Sequence, residues 1–431
     1  MVPHTSAETA RDMRAATDIA RTFAASADKV AYISLTVAVA AFALYWSSSV
    51  ALHTANRITH FGADAHVYTA MAQGYYAEGL TRFHPVTMGL AAAWLKLLSP
   101  LTHWIPAVYI LKAMFAAAGA IGVWAAVRAF AALMPLRQAS LFGIIYASSL
   151  GIWYFSSIEE SKIVTATIAA LYIATYVKLR QRWTVRGACL LTAWLLLGCL
   201  NEIVSGFLAI IPLVDALVRK GVDWRGGRWI FAHALAGPCA LLILELGVSR
   251  WLLTPERTNL ERASHLDMLI SFVSGNEYTA TSLMFFLREW LIFSIAAPSA
   301  DATTGAAPSL HFAGTFAPSL LGYFASPLGA GVAVLGLALL VVCLLPGRQP
   351  AGDGGRRALL LALGAYALFR ALFFVVMLPH EPLLNASTTT LAHLLILAGL
   401  FAASGVPGKT LVLAGFAVLL FAANAAFIIG P

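Results

Sequence analysis

The sequence predicts an all-α membrane protein whose helices form a polytopic transmembrane bundle. The chain has 431 residues, of which 60% are hydrophobic and only 11% are charged, whereas soluble domains carry roughly 25% charged residues. The apolar residues gather in long runs, and about 20 of them in a row allow a helix to cross the hydrocarbon core of a bilayer. The net charge of +8 therefore bears on membrane topology and is no sign of a nucleic-acid partner.

The apolar runs predict about 11 spans within one transmembrane domain, residues 30–428, behind a polar segment, residues 1–29. The predicted spans are 30–52, 106–127, 138–156, 163–177, 187–200, 203–218, 229–252, 322–345, 357–378, 388–404 and 409–428. The polar segment is too long and too acidic for a typical signal peptide, so we expect the first span to stay in the protein.

The placement of basic residues predicts the orientation of the bundle. When the spans alternate from a cytoplasmic N-terminus, 18 of the 28 Lys and Arg residues fall in cytoplasmic segments, as the positive-inside rule expects. The loops 53–105 and 253–321 then lie on the opposite, periplasmic face, where most acids and histidines also gather. We therefore expect a multi-pass protein of the bacterial inner (cytoplasmic) membrane.

Three segments depart from simple alternation. The run 86–101 is apolar but short, so it predicts a re-entrant or surface helix. The run 187–218 is too long for one span and is predicted to break at Asn201–Glu202, whose polar side chains would then lie near the outer face. Residues 281–297 look amphipathic, which predicts a surface helix that keeps the Arg288–Glu289 pair near water.

Polar residues recur at the predicted outer ends of the helices, and this pattern points to a site. A carboxylate there can act as a base, while Lys, Arg and His can hold an anionic leaving group. The candidates outside the first loop are Glu159, Glu160, Lys162, Glu202, Arg257, Arg262, His265, His380 and Glu381. Two further charges, Glu245 and Arg370, lie inside predicted spans, where each needs a partner or a cavity. No Walker A pattern, no GxGxxG at a strand–helix junction and no HExxH pattern is present, which argues against soluble nucleotide chemistry.

The first loop carries a pattern that resembles a known family. Asp64-Ala-His66-Val67-Tyr68 follows the first span, and His84-Pro85 closes the loop beyond Arg82. This arrangement is similar to that of the GT-C glycosyltransferases, integral membrane enzymes that take sugars from polyprenyl-phosphate carriers. The segments SSIEESK and LLLGCLNEIVSGF resemble the second acidic loop and a recurring hairpin of that family. Asn201-Glu202 stands where the family commonly has Thr-Lys, so Lys162 becomes the candidate to contact the lipid phosphate.

The resemblance implies a GT-C-like bundle with short periplasmic surface helices and an inverting transfer. The donor would be a polyprenyl-phosphate sugar, the acceptor a hydroxyl of a lipid, glycan or protein, and no cofactor is implied. Asp64 would be the general base, and the other outer-face residues, His66, Arg82 and His84 among them, would bind substrate. Asp64 could instead simply cap a helix. A transporter or flippase for a lipid-linked or anionic solute stays open as the alternative, as does a membrane acyltransferase that uses His.

The predicted orientation places residue 60 on the periplasmic face. We expect that His60→Cys, in a protein whose four native cysteines are replaced by alanine, reacts with a membrane-impermeant maleimide in intact cells. The measurement is gel detection of the label before and after lysis, with the cysteine-free protein as control. Labelling only after lysis would place residue 60 on the cytoplasmic face and contradict the predicted orientation.

Overall fold

The computed structural model describes residues 5–54, 68, 70, 84–219, 229–230, 232–243, 280–297, 320–345, 347, 354–377 and 382–429, and this part of the chain is all-α. The α-helices are α1 (Thr5–Thr54), α2 (Pro85–Leu97), α3 (Ala107–Ala131), α4 (Leu136–Ser148), α5 (Leu150–Ser157), α6 (Ser161–Gln181), α7 (Val185–Asn201), α8 (Ile210–Arg219), α9 (Ala236–Leu242), α10 (Ala280–Arg288), α11 (Pro327–Leu344), α12 (Gly354–Met377), α13 (Pro382–Ala386), α14 (Thr390–Ala403) and α15 (Lys409–Ile429). Short 3₁₀ helices run over Ser99–His103, Ile203–Ala209 and Leu320–Ala325, and a π-helical turn over Glu289–Phe293.

Among the residues that the structure describes, six helices are long and apolar enough to cross a membrane, and the count rises to seven if the bent pair α4–α5 is one span. They are the part of α1 from Ala27 to Thr54, with α3, α6, α11, α12 and α15. The prediction of a polytopic helical membrane protein is confirmed, whereas the count of eleven is not reached. Helices α7 and α14 are apolar but have only 17 and 14 residues, and at 1.5 Å per residue they fall short of a bilayer's roughly 30 Å.

The predicted break at Asn201–Glu202 is confirmed, and so is a short helix in the run 86–101. Helix α7 ends at Asn201, Glu202 is extended with φ −154° and ψ 111°, and a 3₁₀ helix follows. Helix α2 has 13 residues and begins with Pro85, which suits a first helical position because proline lacks the amide hydrogen that would be unpaired there.

The span α4–α5 bends by 56° at Ser149, and Asn424 of α15 stabilises the bend. Its Nδ2 donates to the carbonyl oxygens of Ser148 (2.6 Å) and Ile295 (2.8 Å), and its Oδ1 accepts from the amide of Ala297 (2.8 Å). Asn424 is fully buried. One side chain thus satisfies backbone groups that the bend and the neighbouring turn leave without helical partners.

An ion cluster around the buried Asp215 joins α6, α8 and α12 at one end of the bundle. Arg180 donates from Nε and Nη2 to the two carboxylate oxygens of Asp215, at 2.9 and 3.0 Å, and also bonds the carbonyl of Gly355. Arg219 contacts the same carboxylate. Because Gly355 lies in the first turn of α12 and Arg180 lies near the end of α6, the beginning of α12 lies beside the end of α6.

The segment 281–297 differs from its prediction in one respect. It forms α10 and the π-helical turn and is not among the candidate spans, as expected of a helix that does not cross. Glu289, however, is only 2% exposed, so the prediction that it stays near water is wrong. The physical reason is that its neighbours Phe286, Trp290 and Phe293 are buried against the protein, and this packing draws Glu289 inward.

The bend at Ser149 predicts that Asn424 is a strong determinant of stability. Asn424→Ala leaves buried backbone groups without partners, each worth about 1–3 kcal/mol, so we expect the free energy of unfolding to fall by at least about 2 kcal/mol. Thermal unfolding in detergent, followed by tryptophan fluorescence, measures the change. Val418→Ala, on the exposed side of the same helix, is the matched control, and equal loss in both variants would contradict this role.

Candidate functional site

Three buried charges from distant parts of the chain meet where α7 breaks. Oε1 of Glu202 accepts from Nζ of Lys162 at 3.2 Å and from Nη2 of Arg370 at 3.0 Å. The exposed fractions of the side chains are 8%, 11% and 1% respectively. Lys162 lies in the first turn of α6 and Arg370 in the second half of α12. We call these three residues the ion triad.

The ion triad carries more positive than negative charge. Burial raises the pKa of the Glu202 carboxyl, but the charges of Lys162, Arg370 and His84 outweigh burial and hold this pKa below its ordinary value. Glu202 is therefore ionised. Two cations against one carboxylate leave a surplus of one positive charge in a buried place, which favours the binding of an anion.

Two polar atoms of the ion triad have no hydrogen-bond partner among the residues that the structure describes. Oε2 of Glu202 accepts no hydrogen bond there, and Nε of Arg370 donates none. Buried polar atoms are normally paired, so such atoms call for an explanation, and a ligand group is one. These two atoms, Oε2 of Glu202 and Nε of Arg370, belong to the two oppositely charged partners of one ion pair.

An aromatic ring lies beneath both cations. The centroid of Phe374 is 5.2 Å from the guanidinium carbon of Arg370 and 5.9 Å from Nζ of Lys162. Trp290 packs against Phe374 with ring centroids 5.9 Å apart, and Phe286 stacks on Trp290. These aromatic contacts restrain the cations from one side and exclude water from it.

Asn201 connects the ion triad to the end of the first loop. Its Oδ1 accepts from the amide and the hydroxyl of Thr87, at 2.9 and 2.8 Å, and its Nδ2 donates to Oγ1 of Thr165 at 2.9 Å. The carbonyl of Asn201 lies 2.9 Å from Nδ1 of His84. Since a carbonyl can only accept, Nδ1 carries the proton in this contact. Helices α2, α6 and α7 are thereby joined through one buried side chain.

A second buried ion pair, Lys112 with Glu159, has one member close to the ion triad in sequence, because Glu159 lies shortly before Lys162. Nζ of Lys112 is 2.7 Å from Oε1 of Glu159, and neither side chain is exposed. This contact is the ion pair that the described residues give Glu159. The next residue, Glu160, is also buried and accepts from Oγ of Ser161 at 3.0 Å.

The structure brings several predicted site residues together. Lys162, Glu202 and His84 converge at the break in α7, and Glu159 and Glu160 lie in the turn before α6. The other predicted residues lie outside the described part of the chain: Asp64, His66, Arg82, Arg257, Arg262, His265, His380 and Glu381. Their roles remain predictions.

Arg370 and Lys112 are not among the site residues that the sequence predicts. Arg370 lies inside a predicted span, where a charge needs a partner, and that signal is sufficient to suspect it. Lys112 carried the same signal, a lone lysine in an apolar run. Their partners could not be derived from the sequence, because Glu202 and Arg370 are 168 positions apart.

The remaining observations do not assign a chemistry. Among the residues that the structure describes, no group of three or more His, Cys, Asp and Glu side chains could hold a metal ion. The chain matches no protein-family model, no curated protein and no solved structure. What is established is a multi-pass helical membrane protein with a buried polar site at a break in one helix.

Glu289 gives the site region a pH dependence of stability. Burial raises its pKa to about 8 against the lowering effect of Arg288. The folded protein thus holds the proton more tightly than the unfolded chain, and stability falls as the pH rises from the ordinary carboxyl range to about 8. We expect Glu289→Gln, which is neutral throughout, to remove this loss.

The measurement is the melting temperature of the detergent-solubilised protein from about pH 5 to about pH 8, the range between the two protonation states. Glu289→Gln should match the unmodified protein at the acidic end and exceed it at the basic end. Arg288→Gln should act in the opposite sense, because it removes the charge that favours the ionised carboxyl. Parallel curves for all three proteins would exclude this role of Glu289.

Proposed function

We propose that the chain is an integral membrane glycosyltransferase of the GT-C type that moves a sugar from a polyprenyl-phosphate carrier to an acceptor hydroxyl. The observation that carries the proposal is the ion triad, a buried site with surplus positive charge at the beginning of α6. Glycosyl transfer from such a donor releases a phosphate, and preorganised cations at the position of a developing negative charge lower the barrier. Lys162 and Arg370 are the cations that would hold the phosphate.

The surroundings of the site suit a donor with a long apolar tail. Arg370 itself is buried, while Leu368, Phe369 and Leu372 of the same helix are exposed on its other side. In a membrane-spanning helix, exposed apolar side chains face lipid. A phosphate at Arg370 would therefore lie within one helix diameter of the hydrocarbon that holds the tail.

The proposal keeps Asp64 as the base. His84 closes the loop that carries Asp64 and contacts Asn201 at the break in α7, so the end of this loop is tied to the ion triad. In the proposed reaction Asp64 removes the acceptor proton as the hydroxyl oxygen attacks the anomeric carbon. The bond from that carbon to the phosphate oxygen breaks on the opposite face, and the configuration inverts.

A transporter or flippase is the second candidate, and one observation favours it. The described residues include two interrupted helices, α4–α5 at Ser149 and α7 at Glu202, and transporters commonly use pairs of interrupted helices near their substrate site. Buried charges such as Lys112 and Glu159 would then line the pathway. This candidate predicts movement of a lipid-linked substrate between leaflets without transfer of its sugar.

Purified protein in liposomes separates the two candidates. With a polyprenyl-phosphate sugar and an acceptor, we expect the unmodified protein to release polyprenyl phosphate. Asp64→Asn should lower that rate by roughly two to four orders of magnitude, the usual contribution of general acid–base catalysis, while a helix cap would survive the change because Asn and Asp cap about equally well.

Asp28→Asn, the same change at an exposed position of α1, is the matched control and should leave the rate unchanged. Near-normal transfer by Asp64→Asn would refute the mechanism. Release that is absent in every protein, together with translocation of a fluorescent lipid-linked sugar, would establish the flippase instead.

A further inference from the structure

The Glu202 carboxylate holds both cations of the ion triad through a single oxygen. Its Oε1 accepts from Lys162 and Arg370 together, while Oε2 has no donor among the residues that the structure describes. A carboxylate that serves a guanidinium as a fixed structural partner commonly uses both oxygens, as Asp215 does with Arg180 in the same protein. The contact at Glu202 therefore lacks the bidentate geometry that Asp215 and Arg180 form.

We infer that Glu202 is an internal competitor for the anionic ligand: it occupies Lys162 and Arg370 in the empty protein and leaves them when a phosphate monoester binds. The inference rests on the proposed function and adds a regulatory role for a residue that would otherwise be an ordinary ion-pair partner. The ligand class is the phosphate monoester headgroup, the leaving group of the proposed reaction.

The charges of the donor and of the product predict at which step of the reaction Glu202 leaves the two cations. A phosphodiester such as the lipid-linked sugar carries one negative charge, which matches the surplus of the ion triad while Glu202 stays in place. A phosphate monoester carries about −1.5 to −2 at neutral pH, which matches the two cations only after Glu202 has moved away. The return of Glu202 then neutralises the cations again and favours release of the product.

The movement requires no change in the backbone. Asn201, the preceding residue, is fixed by four polar contacts to α2, α6 and His84, whereas Glu202 lies in the extended link after the helix. The proposed withdrawal of the carboxylate is a rotation about the side-chain bonds of Glu202. Lys162 keeps 11% of its side chain exposed, so one of the two cations is already reachable.

Glu202→Gln tests the inference, because glutamine keeps the size but cannot compete as an anion. We expect the variant protein in nanodiscs to bind a polyprenyl phosphate at least roughly tenfold tighter than the unmodified protein. The reason is that the ligand no longer has to displace a charged carboxylate from Lys162 and Arg370. Microscale thermophoresis measures the dissociation constant. An unchanged or weaker affinity would overturn the inference, because it would make Glu202 a supporting or ligand-contacting residue.

Two further variants keep the test decisive. Glu202→Asp retains the charge but is one methylene too short to reach both cations, so it should tighten binding by less than Glu202→Gln, and it serves alone if the glutamine variant does not fold. Asp215→Asn removes a buried carboxylate from two arginines at the other end of α6, about 27 Å away at 1.5 Å per residue. It should leave the affinity unchanged, and tightening there as well would reject a specific role of Glu202.

Separate measurements identify the source of the phosphate and test the proposed function. Inorganic phosphate is titrated into the same proteins: tightening for both ligands identifies the phosphate group alone, and tightening only for the polyprenyl form identifies a lipid headgroup. Neither titration involves sugar transfer. Tight binding by Glu202→Gln in a protein that transfers no sugar would thus support the inference and refute the glycosyltransferase.

Discussion

The described structure depends on one buried carboxylate shared by two buried cations. Without Glu202 or an anionic ligand in its place, Lys162 and Arg370 would have no counter-charge among the described residues they contact, and an unpaired buried charge costs several kcal/mol. The same contact holds the beginning of α6 against the second half of α12 at the point where α7 ends. The break in α7 thus places the Glu202 carboxylate between these two neighbouring helices.

Two interrupted helices are connected through the segment 289–297. At one end of this segment Trp290 packs on Phe374, the ring beneath the two cations. At its other end the carbonyls of Ser294 and Ile295 accept from the first amides of α5, at the bend that Asn424 stabilises. Rigid contacts at both ends link the bend and the ion triad into one unit. Glu289, buried within this segment, lies where a change of charge would reach both.

The sequence was informative wherever a single residue or a local pattern decides the structure. Hydropathy was enough to predict the membrane class, and the polar pair Asn201–Glu202 in an apolar run was enough to predict the break. Among the described residues, fewer helices than predicted are long enough to span, because apolar helices of 14 and 17 residues do not reach across a bilayer. The partners of Glu202 and Glu159 were beyond sequence analysis, since pairing across 168 or 47 positions depends on how the helices pack. Burial of Glu289 likewise follows from its packed neighbours.

The rigidity of the break in α7 bears on the choice between enzyme and transporter. Alternating access needs interrupted helices that can rearrange, and each rearrangement must break the contacts at the interruption. Asn201 has four polar contacts and Asn424 three, nearly all from buried atoms, so moving either break leaves several polar groups without partners. A site held this firmly suits catalysis, which gains from charges fixed before the reaction begins. The mobile part required by an anion competitor is then one side chain, Glu202, on a backbone that stays in place.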